Sequence, residues 1–216
     1  MSRIPKSIQT LFRGIVLAAF VLGAAALGGP EAALARDTRG GDFDYYALAL
    51  SWSPTFCQSP AGDDADLQCN SKRRYDFVVH GLWPQYEKGW PDSCQTRERW
   101  VPDELIDAML DLMPSKKLII HEWRKHGTCS GLKMRDYFAL IRAVYGKVKI
   151  PARYVMPNDT IITTPQQLVT DFVKSNRDLT EGMISVQCGN RRDDARLSEL
   201  RICFTRDGEF RECGSN

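Results

Sequence analysis

Histidine is scarce in this chain of 216 residues, which contains only His80, His121 and His126. No two cysteines have the C-x-x-C spacing that is typical of cysteine-based zinc sites. The sequence also lacks the G-x-S-x-G motif that presents a serine nucleophile, and it has no internal repeat and no low-complexity tract. These absences disfavour serine hydrolases, cysteine-ligated zinc proteins and repeat architectures.

Long apolar runs are confined to the start of the chain. Basic residues precede an apolar stretch of 16 residues from Gly14 to Gly29, and Ala33-Leu34-Ala35 matches a signal-peptidase site. A membrane-spanning helix needs about 20 apolar residues, and no later segment is apolar enough to cross a bilayer. The pattern predicts a signal peptide over residues 1–35, cleaved near Ala35. It also predicts a single mature domain over residues 36–216, without a membrane span, that is secreted or periplasmic.

An excess of one charge is missing as well. The chain has 29 basic and 27 acidic residues, of which residues 1–35 contain three and one, so the mature chain is expected to have 26 of each. A neutral domain is not a general binder of nucleic acids, and any polyanion must be held by a local cluster of cations. The mature length of about 180 residues is enough for one domain with a sizeable core.

Seven cysteines all follow the predicted cleavage site. In an exported protein they indicate disulfides rather than a metal site. Because the number is odd, at least one thiol stays unpaired within the chain. The seven are Cys57, Cys69, Cys94, Cys129, Cys188, Cys203 and Cys213.

The hydrophobic pattern predicts a mixture of strands and helices. Strands are expected over 43–52, around His80, over 183–188 and 200–204, and in a last short strand through Phe210 after the Asp207-Gly208 turn. Helices are expected over 98–112, from the N-cap Ser115 into the histidine segment, over 135–147, and from Thr164-Pro165 to about Ser175. This order predicts an α+β fold in which helices pack against an antiparallel β-sheet.

All three histidines fall in two short segments. In 77–84 a β-branched run predicts a strand carrying His80, and the next residues, Gly81-Leu82-Trp83-Pro84, predict the turn out of it. In 118–129, read as a helix, residues four apart share a face, so His121 lies beside Lys125 and Glu122 beside His126. Together the two segments predict one site.

Gly127 and Cys129 follow the last histidine. Gly127 fits the left-handed residue that commonly ends a helix, and Cys129 can then anchor the segment covalently.

Two histidines, a carboxylate and a lysine without a cofactor motif are typical of acid–base catalysis on an anionic ester. With a pKa of about 6.5, one imidazole can accept a proton while another donates one. Lys125 can neutralise charge on phosphate oxygens, and Glu122 can orient His126 or hold its charge.

Zinc is the alternative chemistry, and the spacing argues against it. A zinc-protease helix needs histidines four residues apart, whereas His121 and His126 are five apart and diverge by about 140° around a helix. Lys125 stands where the second ligand should be and would repel a cation. We therefore expect neither a metal nor a cofactor.

The segments 77–84 and 121–129 resemble the two active-site signatures of the T2-type ribonuclease family, and the similarity spans about 43–213. Members of this family are secreted, base-nonspecific endoribonucleases. The resemblance implies that the ribose 2′-hydroxyl of single-stranded RNA attacks its own phosphate. This step gives a 2′,3′-cyclic phosphate, which water then opens to a 3′-phosphate.

The resemblance also assigns roles by motif position. His126 would be the base on the 2′-hydroxyl and His80 the acid on the 5′-oxygen. Glu122 and Lys125 would stabilise the pentacoordinate phosphorane, and His121 would contact the phosphate. Which of His80 and His126 is the base in the first step stays open, because the roles reverse in the second step.

The implied partner is RNA and not DNA, because DNA lacks the nucleophile, and the chain is expected to act as a monomer. Trp83 is a candidate for stacking on a base or ribose, the alternative being a tryptophan that packs in the core or a turn. A bell-shaped pH profile on the acidic side is expected, because the reaction needs at least one imidazolium.

The family pattern further implies three disulfides, Cys57–Cys69, Cys94–Cys129 and Cys203–Cys213. Cys188 is then left over, because family members that pair it use a further C-terminal cysteine with no counterpart in this sequence. Cys188–Cys213 is the competing pairing.

Two other functions are open to the sequence. One is a different metal-independent phosphodiesterase, and the other is a relative that has lost catalysis and acts as a binding or toxin-like module. Every residue of the catalytic type is present, which disfavours the second.

Overall fold

The structure is a computed structural model of the chain, and it describes residues 39–63, 65, 67–158, 160–189 and 196–215. The predicted signal peptide, residues 1–35, lies outside the described residues. Across the described ranges, every helix is too short or too polar to traverse a bilayer.

In the described residues four strands form one antiparallel sheet. They are Tyr45–Trp52 (β1), Phe77–Gln85 (β2), Ile184–Cys188 (β3) and Leu197–Phe204 (β4). Their order in the sheet is β2-β1-β4-β3, so β1 and β4 are central and β2 and β3 lie at the edges.

Five α-helices accompany the sheet in the part of the chain that the structure describes, which confirms the predicted α+β class. Ser115 and Thr164 accept hydrogen bonds from the backbone N–H groups of Leu118 (3.2 Å) and Gln167 (3.1 Å), so both predicted N-caps are confirmed. The helices are Ser53–Phe56 (α1), Asp103–Asp107 (α2), Lys116–Lys125 (α3), Met134–Gly146 (α4) and Pro165–Ser175 (α5).

The two faces of β1 carry side chains of different size. Leu48 and Leu50 belong to the main hydrophobic core, together with Trp123 of α3 and Phe138 of α4. Because side chains alternate along a strand, Ala47, Ala49 and Ser51 lie on the opposite face of β1. This second face, with its small side chains, is the floor of the candidate site.

The predicted turn at Gly81–Pro84 is wrong, because β2 continues through these residues to Gln85. Pro84 pairs with Tyr46 of β1, which is allowed because β2 is an edge strand and proline lacks only the N–H that would point outward.

Two other predicted elements are shorter than expected. The helix over 98–112 is reduced to α2, which begins after the N-cap Pro102 and gives way to turns after Asp107. The last strand is a single bridge between Phe204 and Phe210, since the chain then leaves the sheet and the Cys213 N–H donates to the Gly182 carbonyl.

Three disulfides join Cys57 to Cys69, Cys94 to Cys129 and Cys203 to Cys213, and Cys188 is a free thiol. The second of these ties the segment after β2 to the turn that follows α3.

Candidate functional site

His80 lies at a β-bulge. In the β1–β2 register, Ala49 faces Gly81 and Leu50 faces Val79, so His80 is the extra residue with no partner on β1. A bulge bends the strand and re-aims the side chain there. Val79 stays buried in the core, while about a third of the His80 side chain is exposed.

Glu199 and Arg201 reach His80 from β4, on the far side of β1. His80 Nδ1–H donates to Glu199 Oε2 (2.8 Å), and Arg201 Nε donates to Glu199 Oε1 (2.7 Å). Ala49 of β1 pairs with both Gly81 and Arg201, and its methyl group leaves room for the longer side chains to meet above it.

Neither Glu199 nor Arg201 was among the residues predicted from the sequence. The available signal was two charged residues alternating with Leu200 and Ile202 in a strand. A solvated strand face has the same alternation, so the pattern alone does not mark a site.

The pKa of His80 is raised above its usual 6.5. Burial alone would lower it, but the hydrogen bond with Glu199 and the negative charges of Glu122 and Glu199 outweigh burial. The pKa of Glu199 is lowered although burial opposes this, because His80 and Arg201 both stabilise the carboxylate. His80 is thus held as an imidazolium on the acidic side of neutrality.

Glu122 projects from α3 into the site and is almost completely buried. Its Oε2 accepts a hydrogen bond from Trp83 Nε1–H (2.7 Å), and its Oε1 lies 3.7 Å from His80 Nε2. Burial raises the pKa of Glu122 to about 7, although the charge of His80 and the Trp83 hydrogen bond oppose the rise. The predicted pairing of Glu122 with His126 is replaced by contacts with Trp83 and His80.

Gly81 allows this close approach. A Cβ atom built at Gly81 would overlap the Glu122 carboxylate and the Trp83 indole nitrogen. A larger residue would displace these two side-chain ends, so the Gly81 in the first histidine segment serves packing rather than a turn.

Trp83 is surrounded by the other site residues. Its ring stacks on His126 with centroids 5.1 Å apart, meets His80 edge-on at 5.1 Å, and has the Arg201 guanidinium carbon 4.9 Å from its centre. With its N–H bonded to Glu122, Trp83 has the contacts of a residue that positions its neighbours rather than of a free stacking surface.

His126 is the C-cap residue of α3 and is buried. Among the described residues, its Nδ1 is a buried polar atom without a hydrogen-bond partner. Burial lowers the pKa of His126 to about 3, and the charges of Lys125 and His80 add to the effect. His126 is therefore a neutral imidazole over most of the pH range.

The prediction that Gly127 ends the helix in a left-handed conformation is wrong. The helical path continues as a 3-10 turn, Gly127–Ser130, and the left-handed residue is Gly131 (φ 73°). Gly127 instead leaves room for the Trp123 and Tyr137 rings, which a Cβ atom would overlap.

His121 and Lys125 lie beside the central group. His121 is exposed and Lys125 is half-buried, and both line a cavity on the outer side of α3. Among the residues that the structure describes, no three of His, Cys, Asp or Glu are placed together to hold a metal ion.

Six site residues were predicted from the sequence. Four of them lie together in the structure: His80, Trp83, Glu122 and His126. The other two, Lys125 and His121, lie at the border of this group. One imidazole is held charged and the other neutral, on either side of a shared indole. This arrangement can donate a proton at one point and accept one at another.

Comparisons with known proteins find similarity to ribonucleases. A family model described as the ribonuclease T2 family matches residues 43–213. A ribonuclease of Aeromonas hydrophila is 50% identical over 114 residues, covering 52% of this chain and 50% of that protein. A probable ribonuclease of Haemophilus influenzae is 37% identical over 187 residues, covering 80% of this chain and 61% of that protein. The chain therefore spans about half to three fifths of the length of these curated relatives.

Solved structures show the same fold. Trichomaglin, an S-like ribonuclease, superimposes with a TM-score of 0.64 at 23% identity, covering 80% of this chain and 92% of that one. RNase NT, solved in complex with 5′-AMP, gives a TM-score of 0.61 at 22% identity, covering 81% and 92%.

Proposed function

Because the chain belongs to the ribonuclease T2 family, we propose that it is an endoribonuclease that cleaves single-stranded RNA through His80 and His126. The observation that carries this proposal is the opposite displacement of the two pKa values around Trp83. The pKa of His126 falls to about 3, while that of His80 rises. General acid–base catalysis needs such a pair.

In the first step, His126 takes the proton from the ribose 2′-hydroxyl, and the 2′-oxygen attacks the adjacent phosphorus. A neutral imidazole is the form that can accept a proton, and His126 has that form above pH of about 3. Nε2 would be the nitrogen that meets the 2′-hydroxyl, because Nδ1 is buried among the described residues.

His80 gives its proton to the 5′-oxygen as the P–O bond breaks, leaving a 2′,3′-cyclic phosphate. Glu199 accepts from Nδ1, so the proton on Nε2 is the one available for transfer. Glu199 is thus a positioning residue that fixes the ring and keeps it charged, in the way that a carboxylate orients a catalytic histidine.

Glu122, Lys125 and His121 act on the phosphate oxygens. With its pKa at about 7, Glu122 is largely protonated on the acidic side, and a neutral carboxyl can donate a hydrogen bond to a phosphorane oxygen. Lys125 supplies positive charge from the border of the site, and His121 contacts the phosphate there.

In the second step, water opens the cyclic phosphate to a 3′-phosphate with the two histidines in exchanged roles. Low base specificity is part of the proposal, because all of these groups act on the ribose and phosphate that every nucleotide shares. The three disulfides and the apolar start of the chain support an exported enzyme.

The main test compares RNA with DNA of the same sequence, with and without EDTA. The proposal requires RNA cleavage that persists in EDTA, no DNA cleavage, and a 2′,3′-cyclic phosphate among the early products by mass spectrometry. Cleavage of both polymers would identify a different phosphodiesterase. A folded protein that binds RNA without cutting it would indicate a non-catalytic module.

The assignment of acid and base is tested with His80→Ala, His126→Ala and the surface control Glu209→Gln. The substrates are a dinucleotide and a nucleoside 3′-phosphate ester whose aryl leaving group needs no proton. On the dinucleotide we expect both histidine variants to lose at least about 10²-fold, the typical contribution of one proton transfer. On the aryl ester His80→Ala should regain activity, because no acid is needed, whereas His126→Ala should stay inactive. Rescue of His126→Ala instead would reverse the two roles.

A further inference from the structure

A cationic pocket adjoins the catalytic residues on the outer side of α3. Its volume is about 430 Å³, and the charged side chains on its wall are all basic. The lining residues are Ser93, Lys117, Ile120, His121, Arg124 and Lys125. The roles proposed above use His121 and Lys125 but leave Lys117 and Arg124 without a function.

Helix geometry connects this pocket to the catalytic carboxylate. At about 100° per residue, Lys125 lies about 60° around α3 from Glu122, and His121 about 100° in the same direction. Lys117 and Arg124 follow at about 140° and 160°. The positive charges thus continue around the helix away from the site where the phosphate would react.

Among the described residues, no carboxylate forms an ion pair with Lys117, Arg124 or Lys125. The neighbouring Lys116, in contrast, lies 3.7 Å from Asp107. Several like charges around one cavity repel one another, and an anion bound between them relieves that repulsion.

The facing wall of the pocket is held in place. Ser93 has a left-handed backbone (φ 52°) that a serine rarely adopts, and its N–H donates to the Lys125 carbonyl (2.7 Å). The next residue, Cys94, is joined to Cys129. The hydrogen bond of Ser93 and the disulfide of Cys94 fix this wall, so the cavity is open before a ligand arrives. Less conformational entropy is then lost when the ligand binds.

We propose that this pocket binds a second phosphate of the RNA chain, the one next to the scissile phosphate, with Lys117 and Arg124 as its main ligands. The proposal rests on the ribonuclease function proposed above. A guanidinium can hold two phosphate oxygens at once and an ammonium adds a point charge. The pocket would therefore favour oligonucleotides over substrates that have a single phosphate.

The test measures kcat/KM for the double variant Lys117→Gln/Arg124→Gln on a dinucleoside monophosphate and on a hexanucleotide. We expect the dinucleoside monophosphate to be cleaved at the wild-type rate and the hexanucleotide to lose about tenfold, the effect of one lost charge-assisted contact. The dependence of log(kcat/KM) on log[salt] should flatten by about 0.7 for the hexanucleotide, as for one phosphate of a single strand. Dinucleotides with an added 5′- or 3′-phosphate show on which side the bound phosphate lies.

Lys116→Gln/Arg135→Gln is the matched control, because it removes the same charge from residues that have carboxylate partners. An equal loss in this control would mean that overall charge matters and the pocket does not. Equal losses on both substrates, or no loss on the hexanucleotide, would also overturn the proposal.

Binding separates this proposal from the ribonuclease function. Fluorescence anisotropy with a labelled DNA hexanucleotide, which offers the phosphates but not the 2′-hydroxyl, should show about tenfold weaker binding to the pocket variant than to wild type and the control. If the wild type cleaves no RNA but this difference is found, the proposed function fails and the phosphate site stands. If RNA is cleaved and the difference is absent, the site fails.

Discussion

His80 and His126 are the same amino acid with opposite tendencies to bind a proton, and the difference lies in what surrounds each ring. His80 hydrogen-bonds a carboxylate and faces a second one, whereas His126 is buried, and the charges that lower its pKa most are those of Lys125 and His80. Charge and burial therefore act together on His126 but against each other on His80. Glu199 is the largest influence that raises the pKa of His80.

Replacing Glu199 by Gln should move the alkaline limb of the pH profile for kcat/KM. Because Glu199 raises the pKa of His80, its loss should shift this limb to lower pH. Under the proposed roles the acidic limb reports His126, so it should stay in place. The profile is measured on a dinucleotide between pH 3 and 9.

Glu209→Gln is the control, since that carboxylate pairs with Lys147 at the surface. If Glu199→Gln lowered activity equally at every pH, Glu199 would have a structural role only.

At the scale of single elements, the bulge in β2 and the turn after α3 set the geometry of the site. The sequence predicted a turn beginning at Gly81 and a helix end at Gly127. In the structure, each glycine instead leaves room for a neighbouring side chain. Gly81 lies against Glu122, and Gly127 lies against aromatic rings. A glycine in a sequence motif does not reveal whether its freedom of φ or its missing side chain is needed, because that depends on a partner distant in the chain.

Gly81→Ala should remove most activity with little change in the sheet. The new methyl group would overlap the Glu122 carboxylate and the Trp83 N–H, so their hydrogen bond must break and leave a buried carboxylate unpaired. Such a loss costs about 1–3 kcal/mol, or more for a charged group. We expect kcat/KM to fall by at least about tenfold and the unfolding free energy by a similar 1–3 kcal/mol, measured by initial rates and urea titration.

Gly146→Ala is the matched substitution, because a Cβ at Gly146 meets no atom within 4 Å. It should leave activity unchanged. Wild-type activity in Gly81→Ala would show that the approach of β2 to α3 is looser than the structure has it.

The Cys94–Cys129 disulfide is the other constraint on α3. It closes a loop of 35 residues, against 12 for Cys57–Cys69 and 10 for Cys203–Cys213. Loop-closure entropy predicts a loss of about 4 kcal/mol when Cys94 and Cys129 are both replaced by Ser, and about 3 kcal/mol for Cys57 and Cys69.

Only the Cys94→Ser/Cys129→Ser variant should also lose activity, since its disulfide ends three residues after His126. Calorimetry and dinucleotide cleavage measure the two effects. Equal activity losses in both disulfide variants would show that global stability limits turnover.

At the scale of the whole molecule, the site combines a strand from the first half of the domain, a helix from the middle and a strand from near the end. The first two contributions were predicted from the sequence because they are motifs of contiguous residues, such as His121 to His126. The third was not, because Glu199 reaches His80 only through the sheet order, which places β4 beside β1. The predicted helix starts were confirmed because a cap is a local interaction, as at Ser115 and Thr164.

Two of the groups with proposed catalytic roles should make folding stability depend on pH in opposing ways. His126 has a pKa of about 3 when folded and about 6.5 when unfolded, so it favours unfolding increasingly as the pH falls below 6.5, by up to about 5 kcal/mol near pH 3. Glu122 has a pKa of about 7 when folded and about 4.5 when unfolded. Its proton uptake therefore stabilises the folded state by up to about 3 kcal/mol as the pH falls from 7 to 4.5.

Urea titrations of wild type, His126→Gln and Glu122→Gln from pH 3 to 8 separate the two effects. His126→Gln should flatten the loss of stability below pH 6.5, because the proton that only the unfolded state binds is gone. Glu122→Gln should steepen the loss between pH 7 and 4.5, because the compensating proton uptake is gone. Since the two substitutions act with opposite signs, a general weakening of the fold cannot imitate both. Three parallel curves would mean that these side chains titrate alike in the folded and unfolded chain, and the lowered pKa of His126, on which its proposed role as the base depends, would then be lost.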